Sequence, residues 1–132
     1  FLRFKKPAIA HVDVLNQRIV ATGLTKNDVA VFISYTGRTH SVIDAANIAA
    51  ATNANIIGIT SLDSPLAKHC TTVLPVGNDE DTDMYTPMTS RIAQLSLIDI
   101  LVSGVALQMG GEFADHLMRV KASVAETKKP GL

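Results

Sequence analysis

The strongest pattern along the chain is a recurrence of short apolar runs, each followed by residues at helical spacing. Asp28-Val-Ala-Val-Phe-Ile33 is almost unbroken in its apolar character, as expected of a strand covered on both faces. From about Thr39 to Thr52, Val42, Ile43, Ala46, Ile48, Ala49 and Ala50 supply a small-residue packing face with helical periodicity. The cycle then repeats. Residues 55–60 read as a strand, 64–70 as a short helix with Pro65 in its first turn, and 71–76 as a further strand. Pro75 has no N–H to give to a ladder, which predicts a sheet-edge position for that strand.

Upstream, Ala8-Ile-Ala-His-Val12 is a short β-like run after Pro7. Asp13 is a good N-cap for a helix from Val14 to Thr22, and Gly23 is a natural stop. Downstream, a polar loop over 77–85 leads to a long helix from about Thr86 to Met109. Gly110-Gly111 breaks it, and a final helix is predicted from about Glu112 to Lys128. Strand and helix alternating at this spacing imply βαβ units on a parallel sheet, the α/β class. No composition shift, repeat or low-complexity tract divides the chain, so residues 1–132 read as one domain.

The long helix carries apolar side chains around almost its whole circumference, including Ile92, Leu95, Ile98, Leu101 and Val105. A helix apolar all round is expected to be buried all round. One small sheet covers one side only, which points to a partner subunit in a twofold dimer, with burial under the last helix as the alternative. Gln94, Ser96, Asp99 and Gln108 interrupt the apolar run and weigh against a membrane span.

Composition narrows the function classes. Apolar residues make up 47% of the 132, charged residues 18%, and the formal net charge is zero. That balance excludes disorder and argues against a free-standing nucleic-acid binder, which is usually clearly basic. Cys70 is the single cysteine, so no internal disulfide forms, and a reducing cytoplasmic compartment is the default expectation. The chain begins abruptly at Phe1, without an initiator Met, and reads as part of something longer.

The candidate chemistry lies at the end of the first apolar run, in Ser34-Tyr-Thr-Gly-Arg-Thr39. Ligands of open parallel sheets bind at the carboxyl ends of the strands, beside helix N-termini that favour anions. Ser34, Thr36 and Thr39 offer hydroxyls, Gly37 permits close approach or positive φ, and Arg38 supplies a cation. An ordinary capped β-to-α turn is the competing reading. The lysine of a Walker A loop and the glycines of a dinucleotide fingerprint are missing, so a nucleotide is not the first expectation.

These residues resemble the Ser-x-Ser-Gly-x-Thr loop of sugar isomerase (SIS) domains. With Ile59-Thr-Ser-Leu-Asp-Ser-Pro-Leu-Ala67, Glu80-Asp-Thr-Asp-Met-Tyr85 and Ser90-Arg-Ile-Ala-Gln-Leu95, nearly the whole chain resembles the effector domain of RpiR-family bacterial transcription regulators, above all its HexR-type branch. The resemblance implies a flavodoxin-like, three-layer parallel sheet with helices on both faces. It assigns phosphate contacts to Ser34, Thr36 and Thr39, with backbone N–H groups from Tyr35 and Gly37. Ser61, Ser90 and Arg91 are placed near the same pocket, and Arg38 suits a second anionic group. The implied effector is 2-keto-3-deoxy-6-phosphogluconate, which carries both a phosphate and a carboxylate. Thr36 stands where the family's second serine is usual. The family's first strand, with its glycine-rich loop, has no counterpart here, nor has its N-terminal helix-turn-helix, through which operator DNA would be bound.

Relatives of this fold include aldose–ketose isomerases, which need a positioned base. None is convincing. His40 adjoins the loop in a first helical turn, His11 lies in an apolar run, His69 and Cys70 are adjacent and do not aim at one another, and His116 is remote in sequence. The acidic run Asp79-Glu80-Asp81 with Asp83 lacks the spacing of a calcium loop. No metal or cofactor is expected. A sensor without catalytic residues is the leading expectation, a phosphosugar isomerase the second, and an assembly module whose loop only caps a helix the third.

Overall fold

The computed structural model of the chain describes residues 1, 4–77 and 88–127. Its elements are α1 (Val14–Gly23), β1 (Val29–Ile33), α2 (His40–Ala51), β2 (Asn55–Thr60), a 3-10 turn (Leu66–His69), β3 (Thr72–Pro75), α3 (Thr89–Gln108) and α4 (Gly111–Glu126). The chain forms two compact units, His11–Leu97 and, separately, Phe1–Ala10 with Ile98–Leu132.

Within the first unit, β1, β2 and β3 form a parallel sheet in that order. Val29 lies opposite Asn55 and Ile33 opposite Ile59, while Ile57 lies opposite Thr72 and Thr60 opposite Pro75. Pro75 thus ends the edge strand β3, where its missing N–H costs no ladder bond. Asp13 caps α1 as its sequence position predicts, its Oδ1 accepting from Asn16 N–H at 2.9 Å. Before β1, the Thr25 hydroxyl and N–H both donate to the Asp28 carboxylate (2.7 and 2.8 Å). The hydroxyl bond first, then the backbone one, holds this carboxyl below its ordinary pKa.

The core is built from small residues. Ala21 of α1, Ala45 and Ala49 of α2 and Ile56 of β2 are buried together, with Leu24, Phe32, Ile48 and Cys70 packed around them. Alanine on α2 lets the helix approach the sheet closely, which brings its N-terminus to the ends of the strands. Gly58 plays the same part under Cys70, since a Cβ there would stand 2.5 Å from the Cys70 Sγ. The thiol donates to the Leu66 carbonyl at 3.3 Å, and burial pushes its pKa up, so it stays neutral at neutral pH.

Three expectations need correction. The run Ala8–Val12 forms no strand. Ile9 is 79% and Val12 91% exposed, because a strand needs a neighbour and the described sheet has none for it. Next, β1 is not covered on both faces. Val29, Val31 and Ile33 are exposed while Phe32 packs on the cluster of Ala21, Ala45, Ala49 and Ile56, since β1 is the other edge strand of the described sheet and the core lies on its Phe32 side. Finally, this single chain leaves α3 largely exposed, so burial within the chain under the last helix, the alternative to a partner subunit, is what fails. Ser90 is its one buried residue, while Ile92, Leu95, Ile100 and Leu107 are exposed. By length and composition alone α3 would also suffice to cross a membrane.

The second unit is pinned by aromatic side chains. Phe4 packs edge-on against Phe113, centroids 4.8 Å apart, and against Phe1 at 6.1 Å. Glycine 110 enters α4 with φ 71°, a conformation that favours a residue without Cβ.

The Gly58–Cys70 contact gives a paired prediction. Gly58→Ala should lower stability by about 1–3 kcal/mol through overpacking, and Cys70→Ala in the same chain should recover most of it. Urea denaturation of the two single variants and the double variant measures the coupling, and strictly additive losses would show that the contact is not the cause.

Candidate functional site

The loop joining β1 to α2 lies on the carboxyl end of the sheet, held by three backbone hydrogen bonds. Ser34 N–H donates to the Ile59 carbonyl (3.1 Å), Ser61 N–H donates to the Tyr35 carbonyl (3.1 Å), and Leu66 N–H donates to the Gly37 carbonyl (3.2 Å). The loop is therefore fixed to β2 and the segment after it along its whole length. Ser64 locks the other side of that contact, with its hydroxyl paired to Thr60 Oγ1 at 3.0 Å and accepting from Ala67 N–H at 3.1 Å.

Gly37 is where the two segments meet. Its φ is +62°, in the left-handed region, and its N–H donates to the Ser34 carbonyl at 3.1 Å to close the turn. A Cβ built there would overlap the Ser64 side chain and stand 2.6 Å from Thr60 Oγ1. Geometry and space both demand glycine.

Above this loop opens a cleft of about 370 Å³. Its floor is made by Ser34, Tyr35, Thr36 and Thr39, with the apolar Ile33 and Val42 beside them. Ser90, Arg91 and Gln94, all in the first two turns of α3, form the opposite wall. Ser34 and Ser90 are buried, Arg91 is exposed, and Gln94 is half-buried. Among the described lining residues Arg91 carries the one formal charge and none is a carboxylate.

The decisive detail is the orientation of Thr39. It occupies the N-cap position of α2, yet its side chain makes no capping hydrogen bond. Its hydroxyl pairs instead with Ser34 Oγ at 3.2 Å, across the floor of the cleft. A threonine that only capped the helix would accept from an amide of the first turn. Here the Thr39 side chain leaves the first turn of α2, with its partial positive charge, uncapped, and since one hydroxyl of the pair donates to the other, one hydroxyl proton stays available to a ligand. The arrangement is able to take an anion with several oxygens.

Not every predicted site residue reaches the cleft. Ser34, Tyr35, Thr36, Thr39 and Ser90 do. Gly37 lies beneath it, with its N–H engaged inside the turn. Arg38 is exposed and is not part of the lining. Ser61 is buried and supports the loop through its backbone N–H. The acidic run 79–83 lies outside the described residues. Sequence reasoning missed Gln94 and Val42, although their spacing is visible: Gln94 follows Ser90 by four residues, one helical turn on the same face, and Val42 follows Thr39 by three.

The SIS domain family matches residues 10–104, well over half of the chain. The chain belongs to the SIS domain family. Among curated relatives, the HTH-type transcriptional regulator HexR of Pseudomonas aeruginosa is 44% identical over 130 residues, covering 98% of this chain and 46% of that protein. Its Escherichia coli namesake is 40% identical over 128 residues, covering 97% of this chain and 44% of that protein. The chain thus spans somewhat less than half the length of these relatives. Among solved structures, the Vibrio vulnificus NanR protein complexed with ManNAc-6P superposes with a TM-score of 0.83 at 24% identity, over 98% of this chain and 49% of that one. This likeness shows the fold, an α/β arrangement of the flavodoxin-like kind.

Replacing Gly37 tests the close approach directly. Gly37→Ala should cost about 2 kcal/mol or more, from the strained φ together with the overlap at Ser64. Ser64→Gly, which removes both overlapping Ser64 atoms, should in the same background recover only part of the loss, leaving the Thr60 contact and the backbone strain, as thermal unfolding of the three proteins would show.

Proposed function

We propose that this chain is the effector-sensing domain of a bacterial transcription regulator and that its cleft binds a phosphorylated sugar. The observation that carries the reading is Thr39, which sits at the N-cap of α2 and turns its hydroxyl to Ser34 instead of capping. The phosphate takes the hydroxyls of Ser34, Thr36 and Thr39 and the positive end of α2. The rest of the ligand extends toward Ser90 and its neighbours on α3. The HexR relatives support regulation as the role, and 2-keto-3-deoxy-6-phosphogluconate, the effector that the sequence resemblance implies, is the first candidate. In this reading the site binds without turnover, the protein is cytoplasmic, and operator DNA is held by a separate helix-turn-helix domain.

A homodimer through α3 completes the proposal. Its exposed Ile92, Leu95, Ile100 and Leu107 are more apolar surface than a lone helix normally leaves in water, and a second copy is the simplest cover. Leu95→Glu with Ile100→Glu should shift the protein to a monomer in sedimentation velocity. An unchanged sedimentation coefficient would remove α3 from the interface.

The ligand reading is tested by thermal unfolding with 2-keto-3-deoxy-6-phosphogluconate, glucose 6-phosphate, fructose 6-phosphate and inorganic phosphate. A ligand at a hundred times its Kd adds about 2.7 kcal/mol, enough to raise Tm by roughly 5 °C or more. At least one sugar phosphate should do so, and Ser34→Ala should abolish the rise. If none shifts the wild-type melt, the cleft is not a sugar-phosphate site and the loop is only structural.

A further inference from the structure

Helix α3 holds two charged residues in its twenty, Arg91 and Asp99, and both are exposed. The ion pair found among the described residues, Arg18 with Asp44, involves neither. From their spacing we infer that α3 meets the same helix of a second copy of this chain in antiparallel fashion, crossing at Leu95. Arg91 of each copy then pairs with the partner's Asp99, and the two ion pairs clasp the crossing from either side. This rests on the homodimer reading and adds to it the direction and register of the helices.

The two charges stand too far apart to serve one another. Eight residues of helix separate them by about 12 Å along the axis, whereas side chains that meet on one helix are three or four residues apart. Leu95 lies midway, so Arg91, Leu95 and Asp99 form a single ridge at i, i+4 and i+8. Ile92 and Ser96 run beside it in the next row, exposed like Leu95. Ridges of this kind pack into the grooves of a facing helix, and the small side chain of Ser96 leaves room for the approach.

Charge selects both the occupant and its direction. A ridge with a cation at one end, a carboxylate at the other and a leucine between is complementary to itself when turned end for end. That is the property an isologous interface requires. A parallel pair would set Arg91 against Arg91 and Asp99 against Asp99, like against like. An antiparallel crossing further along, near Ile100, would cover Leu107 as well, but it would bring the two Asp99 carboxylates together beside the axis. Enclosing a charge without a partner costs more than covering one further leucine yields. Crossing at Leu95 gives every charge on the helix an opposite partner. An exposed ion pair is worth little alone, but the twofold axis makes two, with apolar contact between them. Arg91 also lines the cleft, so the clasp joins the interface to the cleft wall through one side chain.

Sedimentation equilibrium of the chain and its charge variants reads the dimer constant. Asp99→Asn removes both pairs and should raise the dimer Kd by roughly five- to thirty-fold, the worth of two partly exposed ion pairs. Asp99→Arg, which sets cation against cation, should raise it further. The exchanged chain, Arg91→Asp with Asp99→Arg, should return to within about five-fold of the wild type. A second readout does not depend on charge. In a Cys70→Ala background, oxidised glutathione should link Leu95→Cys into a disulfide dimer, because the two positions meet on the axis, and should leave Ile100→Cys unlinked. An unchanged Kd in Asp99→Asn, or an exchange that fails to restore association, overturns this register. So does cross-linking through Ile100→Cys, or through neither position. A wild-type chain that stays monomeric at every concentration overturns the homodimer reading itself, a result distinct from the others.

Discussion

The close approach of Gly37 to Ser64 and Thr60 is the constraint on which the site depends. The β1–α2 loop has to lie flat on the end of β2 for its hydroxyls to face one cleft. It does so because no side chain separates it from the segment beneath. The three backbone hydrogen bonds to Ile59, Ser61 and Leu66 then have the right length, and the loop gains the rigidity of the sheet. A looser loop would have to be ordered when a ligand arrived, at an entropic cost of about 1–2 kcal/mol per residue fixed. Glycine here converts that cost into one met during folding, and the alanines of α2 extend the same logic by drawing the helix N-terminus down to the loop.

The electrostatics follow from this packing. With Thr39 turned away from its helix, α2 begins with its first amides uncapped by that side chain, which in an ordinary helix loses about 0.5–2 kcal/mol. The Ser34–Thr39 hydroxyl pair recovers part of the loss at 3.2 Å, a weak bond in length. Arg91, in the first turn of α3, adds a second local penalty of the same sign. Two unfavourable choices converge on one cleft, and an anion would relieve both. Departures from local optimum clustered in this way are typical of functional sites rather than of packing.

Much of this was legible in the sequence, for physical reasons that also mark where legibility ended. Strands β2 and β3, the Asp13 cap and the edge position announced by Pro75 depend on local chemistry, and local chemistry is written in neighbouring residues. The hydroxyl loop was visible because its residues are contiguous. What failed depends on partners. Residues 8–12 have strand character but no neighbouring strand, and the alternation of β1 and the apolar girdle of α3 describe what the surfaces would bury, not what is present to cover them. The same limit governed the cations. Arg38 belongs to the loop in sequence yet is not among the cleft's lining residues, while Arg91, more than fifty positions away, lines it.

The position of Arg91 and Gln94 also suggests how binding in the cleft would be communicated. Each is followed in sequence by a bare apolar residue, Ile92 after Arg91 and Leu95 after Gln94, so cleft and exposed surface alternate around the same two turns of α3. One residue along a helix is about 100° around it, as 3.6 residues per turn requires. A ligand holding one side of these turns therefore constrains the orientation of the other. A ligand shifts an equilibrium only by as much as its affinity differs between the two states. In the proposed dimer that difference would arise in the first turns of α3, because they contribute at once to the cleft and to the surface offered to the partner. Inorganic phosphate reaching only Ser34, Thr36 and Thr39 would bind without engaging α3, and would be a poor effector even where it is a good ligand.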